Sequence, residues 1–302
     1  MTCLDSAKRR NLSSLVFTFE PHPTKILRPE KAPLLLFSRD EKRQWLRHLG
    51  FEFILEQTFD SDFRKISAEK FIDEILRKKL QAKVISIGPN FRFGFEGRGT
   101  VDLLKKQTDF EIIEVAPVIQ DGVVLSSSRI RELVSLGEIE AANRYLGHPY
   151  FLSGTVERGF ERGEKLGFPT ANIKTDRECL PKDGVYITIL EDLESSQFFT
   201  SASNIGFNPS FENKQRSIEA HLLDFNDSLY ERRVRLFFLK HLRSEMKFKD
   251  LSLLKAQISQ DIQESRNFFH SMNLLRPPTE NNSLSLSHVD FLTQRFQTYG
   301  TP

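Results

Sequence analysis

The chain has 302 residues, 39% of them apolar and 28% charged, with 43 Lys and Arg balanced by 41 Asp and Glu for a formal charge of +2. That balance argues against nucleic acid or an anionic membrane as the main partner, and fits a two-domain protein that handles small anionic ligands. The 2 cysteines, Cys3 and Cys179, are too few for a disulfide framework or a metal cluster, and no apolar run is long enough to span a bilayer or open a secretory signal; the cytoplasm is the expected compartment.

The first segment, Met1-Thr-Cys-Leu-Asp-Ser-Ala-Lys-Arg-Arg-Asn-Leu, reads as the back half of a helix. From residue 15 to residue 114 short apolar runs alternate with amphipathic stretches: 15–19, then 39–49, then 53–55, then 68–80, then 84–88. Such alternation predicts a parallel sheet with crossover helices. In the stretch 68–80, Phe71, Ile75 and Leu76 fall on one helical face while Lys70, Asp73, Arg77 and Lys78 stay wet, the pattern of a scaffold helix. The triplet Ser126–Ser128 suits either a helix cap or a phosphate site, because hydroxyls at a helix start accompany free amides and a favourable dipole.

Around Gly147-His-Pro149 the pattern changes. Strands are expected over 151–157, 185–190, 201–205, 218–225 and 234–239, without intervening helices, which predicts an antiparallel barrel or sandwich. The boundary is placed at residue 149. A helix is expected from 251 to about 269 with Leu254, Ile258 and Ile262 near one face, followed by a poorly ordered tail over 271–302 rich in Asn, Ser, Thr and Pro.

The most informative motif is Gly159-Phe-Glu-Arg-Gly163-Glu-Lys-Leu-Gly167-Phe-Pro-Thr170-Ala-Asn172. Glycines let backbone pass close to phosphates, and a hydroxyl and an amide follow as oxygen donors to a metal or phosphate. Downstream, Ser217-Ile-Glu-Ala-His-Leu-Leu-Asp-Phe225 places Glu219 and His221 together on the face opposite Ile218. Alternation alone is compatible with a solvated strand face there.

These segments resemble the flavokinase signature: the glycine arch leading into Pro-Thr-Ala-Asn, then Ala202-Ser-Asn-Ile-Gly206, the Glu219-Ala-His-Leu strand, Asp224-Phe225 leading to Leu229-Tyr230, and Leu242-Arg-Ser-Glu245 leading to Phe248. The resemblance covers residues 150–269, with Glu164 where the family usually has Arg. It implies a six-stranded riboflavin kinase barrel with a C-terminal helix over 150–270, transferring the ATP γ-phosphate to riboflavin to make FMN. It further implies Glu219 as general base, Gly159, Arg162, Gly163 and Gly167 at the ATP phosphates, and Thr170 and Asn172 holding Mg2+ and phosphate.

Residues 1–149 resemble the FMN adenylyltransferase half of bacterial bifunctional FAD synthetases. The matching segments are Phe17-Thr-Phe-Glu-Pro-His-Pro23, Gly88-Pro-Asn-Phe-Arg-Phe-Gly94, Leu125-Ser-Ser-Ser-Arg-Ile-Arg131 and Leu146-Gly-His-Pro-Tyr150. The resemblance implies a Rossmann-like nucleotidyltransferase domain. Phe19, Pro21, His22, Pro23, Asn90 and Phe93 would then line the flavin and adenine sites, with Ser127, Ser128 and Arg131 on the β- and γ-phosphates of ATP. A buried turn remains the alternative for the Phe93 segment. None of the 7 histidines stands in the family's His-x-Gly-His arrangement, so the first strand and its ATP loop are expected to be missing. The expectation is that Met1 is an internal methionine and the natural chain longer and fully bifunctional; the rivals are a decayed domain that permits FMN but not FAD, and a flavin-binding module without catalysis. The partners expected are riboflavin, FMN and ATP, with FAD as a product, no nucleic acid, no membrane, and a monomer or weak homo-oligomer.

Overall fold

A computed structural model describes residues 2–159, 163, 166–207 and 216–272. The chain divides into two compact units, one formed by Met1–Pro33 and Arg39–Leu125, the other by Leu34–Ser38 and Ser126–Pro302.

In the first unit the opening segment is helical, α1 Thr2–Arg10, as its sequence predicts. The parallel pairing expected from the alternation is present, in two separate ladders. Strand β1 (Leu15–Glu20) pairs with β2 (Phe53–Thr58), and β3 (Val84–Ile87) pairs with β4 (Glu111–Glu114). No ladder joins the two pairs among the described residues. Both β1 and β3 instead line a cavity of about 970 Å³, together with Cys3, Ser6 and Ala7 of α1. The hydroxyls of Ser6 and Ser86 beside it are buried without a hydrogen-bond partner.

Helix α2 (Arg39–His48) follows β1. The expected scaffold helix, α3, is found as Ala68–Lys70 continuing into a wider-wound stretch, Phe71–Lys79, that buries Phe71, Ile72, Ile75 and Leu76. These side chains form one core with Phe93, Val101, Leu104 and Phe110.

In the second unit six antiparallel strands close into a barrel. They are β5 (Tyr150–Glu157), β6 (Ala171–Lys174), β7 (Gly184–Asp192), β8 (Gln197–Phe207), β9 (Arg216–Leu222) and β10 (Arg233–Ser244), in the order β6-β9-β8-β7-β10-β5. The period-two rule sorts the faces: Tyr150, Leu152, Ile218, Ala220, Leu236 and Phe238 fill the interior. Strand β6 is absent from the strands expected on periodicity, because only four residues of it pair and the first two of them close the glycine motif.

Helices α4 (Ser127–Leu136) and α5 (Ile139–Leu146) belong to this unit rather than to the first. Their Ile130, Leu133, Val134, Ile139 and Ala142 enter the barrel-side core. Asn143 fixes the join: its amide nitrogen donates to the Phe238 carbonyl at 2.8 Å and its amide oxygen accepts from the Tyr150 N–H at 2.6 Å. Packing thus divides the chain before residue 126, ahead of the composition change at 149.

The last helix, α6, runs Leu251–Ser271, capped by the Asp250 carboxylate accepting from the Ser252 and Leu253 amides at 2.9 Å. Its most buried line is Asp261, Ser265 and Phe269, with Leu254, Ile258 and Ile262 half-buried beside it. The seam is polar because Asp261 receives both Nε and Nη2 of Arg243 from β10, at 2.9 and 2.7 Å. Of the tail expected over 271–302, Ser271 is the last residue of α6 and Met272 its C-cap; residues 273–302 lie outside the described residues.

Candidate functional site

The glycine motif is built around two side chains. A Cβ on Gly159 would stand 2.1 Å from Asn172 Nδ2, and one on Gly163 would stand 2.3 Å from the Phe168 carbonyl oxygen and 3.3 Å from Thr170 Oγ1. Both positions are therefore closed to any larger residue unless its neighbours shift. Gly167 adopts φ +89°, a left-handed conformation that glycine takes without strain. The Phe168 N–H donates to the Gly163 carbonyl at 2.7 Å and closes the loop. Arg162 and Glu164 lie outside the described residues.

His221 ties this loop to the barrel. Its Nδ1 is 2.8 Å from the Pro169 carbonyl oxygen, and its ring packs edge-on to Phe168 at 6.0 Å. The loop thereby delivers Asn172 onto β6 directly opposite Glu219 on β9. On the other side Glu219 stands opposite Asn204 on β8. Neighbours across antiparallel strands carry their side chains on the same face, Cβ atoms about 4.5–5.5 Å apart. Since Ile218 and Ala220 point inward, the row Asn172, Glu219, Asn204 lies on the outer face of the barrel. All three side chains are partly exposed, neither sealed in the core nor fully in solvent.

This arrangement places a carboxylate between two amides, next to the strand that leaves the glycine motif. Thr170 and Asn172 offer neutral oxygen donors, and the glycines opposite them leave no side chain in the way, which fits Mg2+ bound by a few protein oxygens with waters and substrate phosphates completing its shell. No cluster of three or more His, Cys, Asp or Glu suited to a metal occurs among the described residues. Asn204 escaped the sequence selection of site residues; its only signal was its place within the Ala202–Gly206 segment.

The residues singled out in the first unit distribute differently. Phe19, Pro23 and Phe93 line the 970 Å³ cavity. Phe19 is held edge-on by Phe17 and Phe59 at 5.3 and 5.4 Å, and Phe93 is buried, stacked on Phe91 at 5.7 Å. His22 caps the short helix Pro23–Leu27, its Nδ1 accepting from the Thr24 N–H at 3.2 Å, with Pro21 partly buried before it. Asn90 opens instead onto a smaller cavity of about 230 Å³ with Arg92, Thr100 and Asp102.

Ser127, Ser128 and Arg131 belong to the barrel unit. Ser126 is the cap of α4, accepting from the Arg129 N–H at 3.2 Å, and Ser127 and Ser128 follow it exposed. Arg131 donates from Nε to the Leu34 carbonyl at 2.6 Å.

Comparison with known proteins agrees with both units. The family described as Riboflavin kinase matches residues 146–269, and that described as FAD synthetase matches residues 2–129. Proteins named bifunctional riboflavin kinase/FMN adenylyltransferase are similar over most of the chain. That of Buchnera aphidicola subsp. Schizaphis graminum is 35% identical, covering 87% of this chain and 86% of the relative. That of Escherichia coli K12 is 34% identical over 88% and 85%, and that of Bacillus subtilis 168 is 33% identical over 90% and 87%. A crystal structure titled as a macrolide-efflux protein from Streptococcus pneumoniae superposes with a TM-score of 0.80 at 30% identity, covering 88% of this chain and 87% of that one. The chain belongs to the bifunctional riboflavin kinase/FMN adenylyltransferase family. Among its described residues no helix is long and apolar enough to cross a membrane.

Proposed function

We propose that the barrel unit transfers the γ-phosphoryl group of ATP to the ribityl 5′-hydroxyl of riboflavin, giving FMN and ADP. The observation that carries this reading is the register of Asn172 against Glu219 beside the closed glycine loop. Phosphoryl transfer needs little covalent help from a protein; it needs positioned phosphates, neutralised charge and a group that accepts the hydroxyl proton. Glu219 is the proton acceptor, poised one strand away from the phosphate side. Thr170 and Asn172 would hold Mg2+, which when bound spreads the developing negative charge of the phosphate oxygens. Gly159, Gly163 and Gly167 keep the arch low over the nucleotide, and Arg162 is assigned to its phosphates. His221 acts indirectly, anchoring the loop through Pro169.

The first unit is assigned by family to FMN adenylyl transfer, in which FMN and ATP give FAD and diphosphate. Phe19, Pro21, His22, Pro23, Asn90 and Phe93 are proposed to contact flavin or adenine, and Ser127, Ser128 and Arg131 the ATP phosphates. The protein is placed in the cytoplasm as a monomer or weak homo-oligomer, with small molecules as partners rather than nucleic acid or membrane.

The test is to incubate the purified chain with riboflavin, ATP and MgCl2 and to quantify flavins chromatographically over time. FMN formation is expected. Its absence while riboflavin still binds would leave a flavin-binding module, and FAD formation at a rate matching FMN would show that the first unit is fully active.

A further inference from the structure

Glu245, immediately after β10, lies against the same outer face as the row that contains Glu219. Gly206 follows Asn204 by two residues on β8 and so shares its face. A Cβ on Gly206 would stand 1.7 Å from Glu245 Oε1 and 3.4 Å from Asn204 Nδ2. The glycine therefore makes room for this carboxylate beside the Asn204 amide.

Glu245 makes no hydrogen bond or ion pair among the described residues, although two arginines are close. Both are engaged elsewhere: Arg216 donates from Nε to Asp183 at 2.6 Å, and Arg243 is bidentate to Asp261. Burial, and then the like charge of Asp183, hold the Glu245 carboxyl above its ordinary range against the pull of Arg216 and Arg243. The side chain nevertheless remains accessible to solvent. An accessible carboxylate that has no partner among the described residues, set in place by a glycine, is arranged to receive donors from a ligand.

We propose that Glu245, with Asn204 beside it, binds the polyol chain of the flavin substrate and sets the preference for a hydroxyl-bearing side chain. The inference rests on Glu219 receiving the terminal hydroxyl. Asn204 lies one strand spacing from Glu219, about 4.8 Å, a distance that an extended four-carbon chain covers. Hydroxyls between the reacting end and the ring thus pass over Asn204 and reach Glu245. A carboxylate suits this task because it only accepts, and charge-assisted hydrogen bonds to it are roughly twice as strong as neutral ones. A site built to bond hydroxyls also discriminates strongly against analogues that lack them.

The experiment is a fluorescence titration of the full chain with riboflavin and with lumiflavin, which has the same ring system and a methyl group in place of the ribityl chain. Wild type is expected to bind riboflavin at least tenfold more tightly. Glu245→Ala should lose most of that preference while its lumiflavin affinity stays within about twofold, which also reports that the variant is folded; Glu245→Gln should fall between. Equal weakening of both ligands, or an unchanged preference, overturns the inference. Turnover of Glu219→Gln is measured separately: if it is retained while Glu245→Ala behaves as expected, the base assignment fails and the polyol contact stands.

Discussion

Asn172 and Glu219 stand directly opposite each other on adjacent antiparallel strands, so a candidate metal and phosphate ligand and a candidate base share one face of the barrel. In the sequence they are separated by a long stretch containing two further strands. If Glu219 takes the proton of the attacking hydroxyl, Glu219→Gln keeps the shape and removes the basicity. We expect kcat to fall roughly 10²- to 10⁴-fold with flavin affinity nearly unchanged. Single-turnover FMN formation, measured beside equilibrium flavin binding, checks this.

Gly159→Ala is expected to damage turnover more than folding. Its Cβ would sit 2.1 Å from Asn172 Nδ2, and the movable end of that side chain would yield rather than the backbone. Displacing Asn172 should raise the magnesium concentration required for half-maximal rate while the melting temperature moves by no more than a few degrees. A large loss of melting temperature with unchanged magnesium dependence would contradict the account.

Glu191 and Arg235 form an ion pair on the outward side of β7 and β10, 3.0 Å apart with side chains 4% and 9% exposed. Arg235 also lies over the Phe151 ring at 4.9 Å. Burial pushes the Glu191 carboxyl up, against the pull of the guanidinium. Glu191→Ala leaves the buried cation without its carboxylate and should cost about 3–5 kcal/mol. Replacing both residues by well-packed apolar ones should cost less than that single change. Urea denaturation of the single and double variants measures both.

His148 supplies a pH dependence. It packs beside Phe37 and Phe151 at 6.2 and 6.1 Å, with Nδ1 2.9 Å from the Pro149 carbonyl oxygen. Burial holds its pKa below the ordinary 6.5, with the Pro149 hydrogen bond pulling the other way. The unfolded state therefore binds the proton more readily, so the stability associated with neutral His148 is present above about pH 6.5 and is lost as pH falls through the lower folded value. The melting-temperature difference between wild type and His148→Gln should shrink steadily with falling pH. A pH-independent difference would refute the assignment.

Much of the barrel was legible because strand periodicity sorts inward from outward residues locally. Ile218 and Ala220 against Glu219 and His221 could be separated without coordinates. The loop was legible because phosphate approach and left-handed backbone both demand glycine, at positions such as Gly167. Strand β6 was hidden, since four paired residues give too little alternation to detect. The stripe on α6 was shifted for a related reason: apolarity marked Leu254, Ile258 and Ile262, while Asp261 is buried through its pairing with Arg243.

The sequence by itself determined the two family resemblances, the glycine motif and the candidate carboxylate, because each depends on short-range spacing and on residue type. Only the tertiary structure decided that α4 and α5 pack with the barrel, that Asn204 completes the row with Glu219, and that Glu245 lies on Gly206. Those relations join residues far apart in the chain through ladder register and side-chain volume. Local propensity carries no record of register, and the space left by a glycine acquires a meaning only when another strand places a side chain in it.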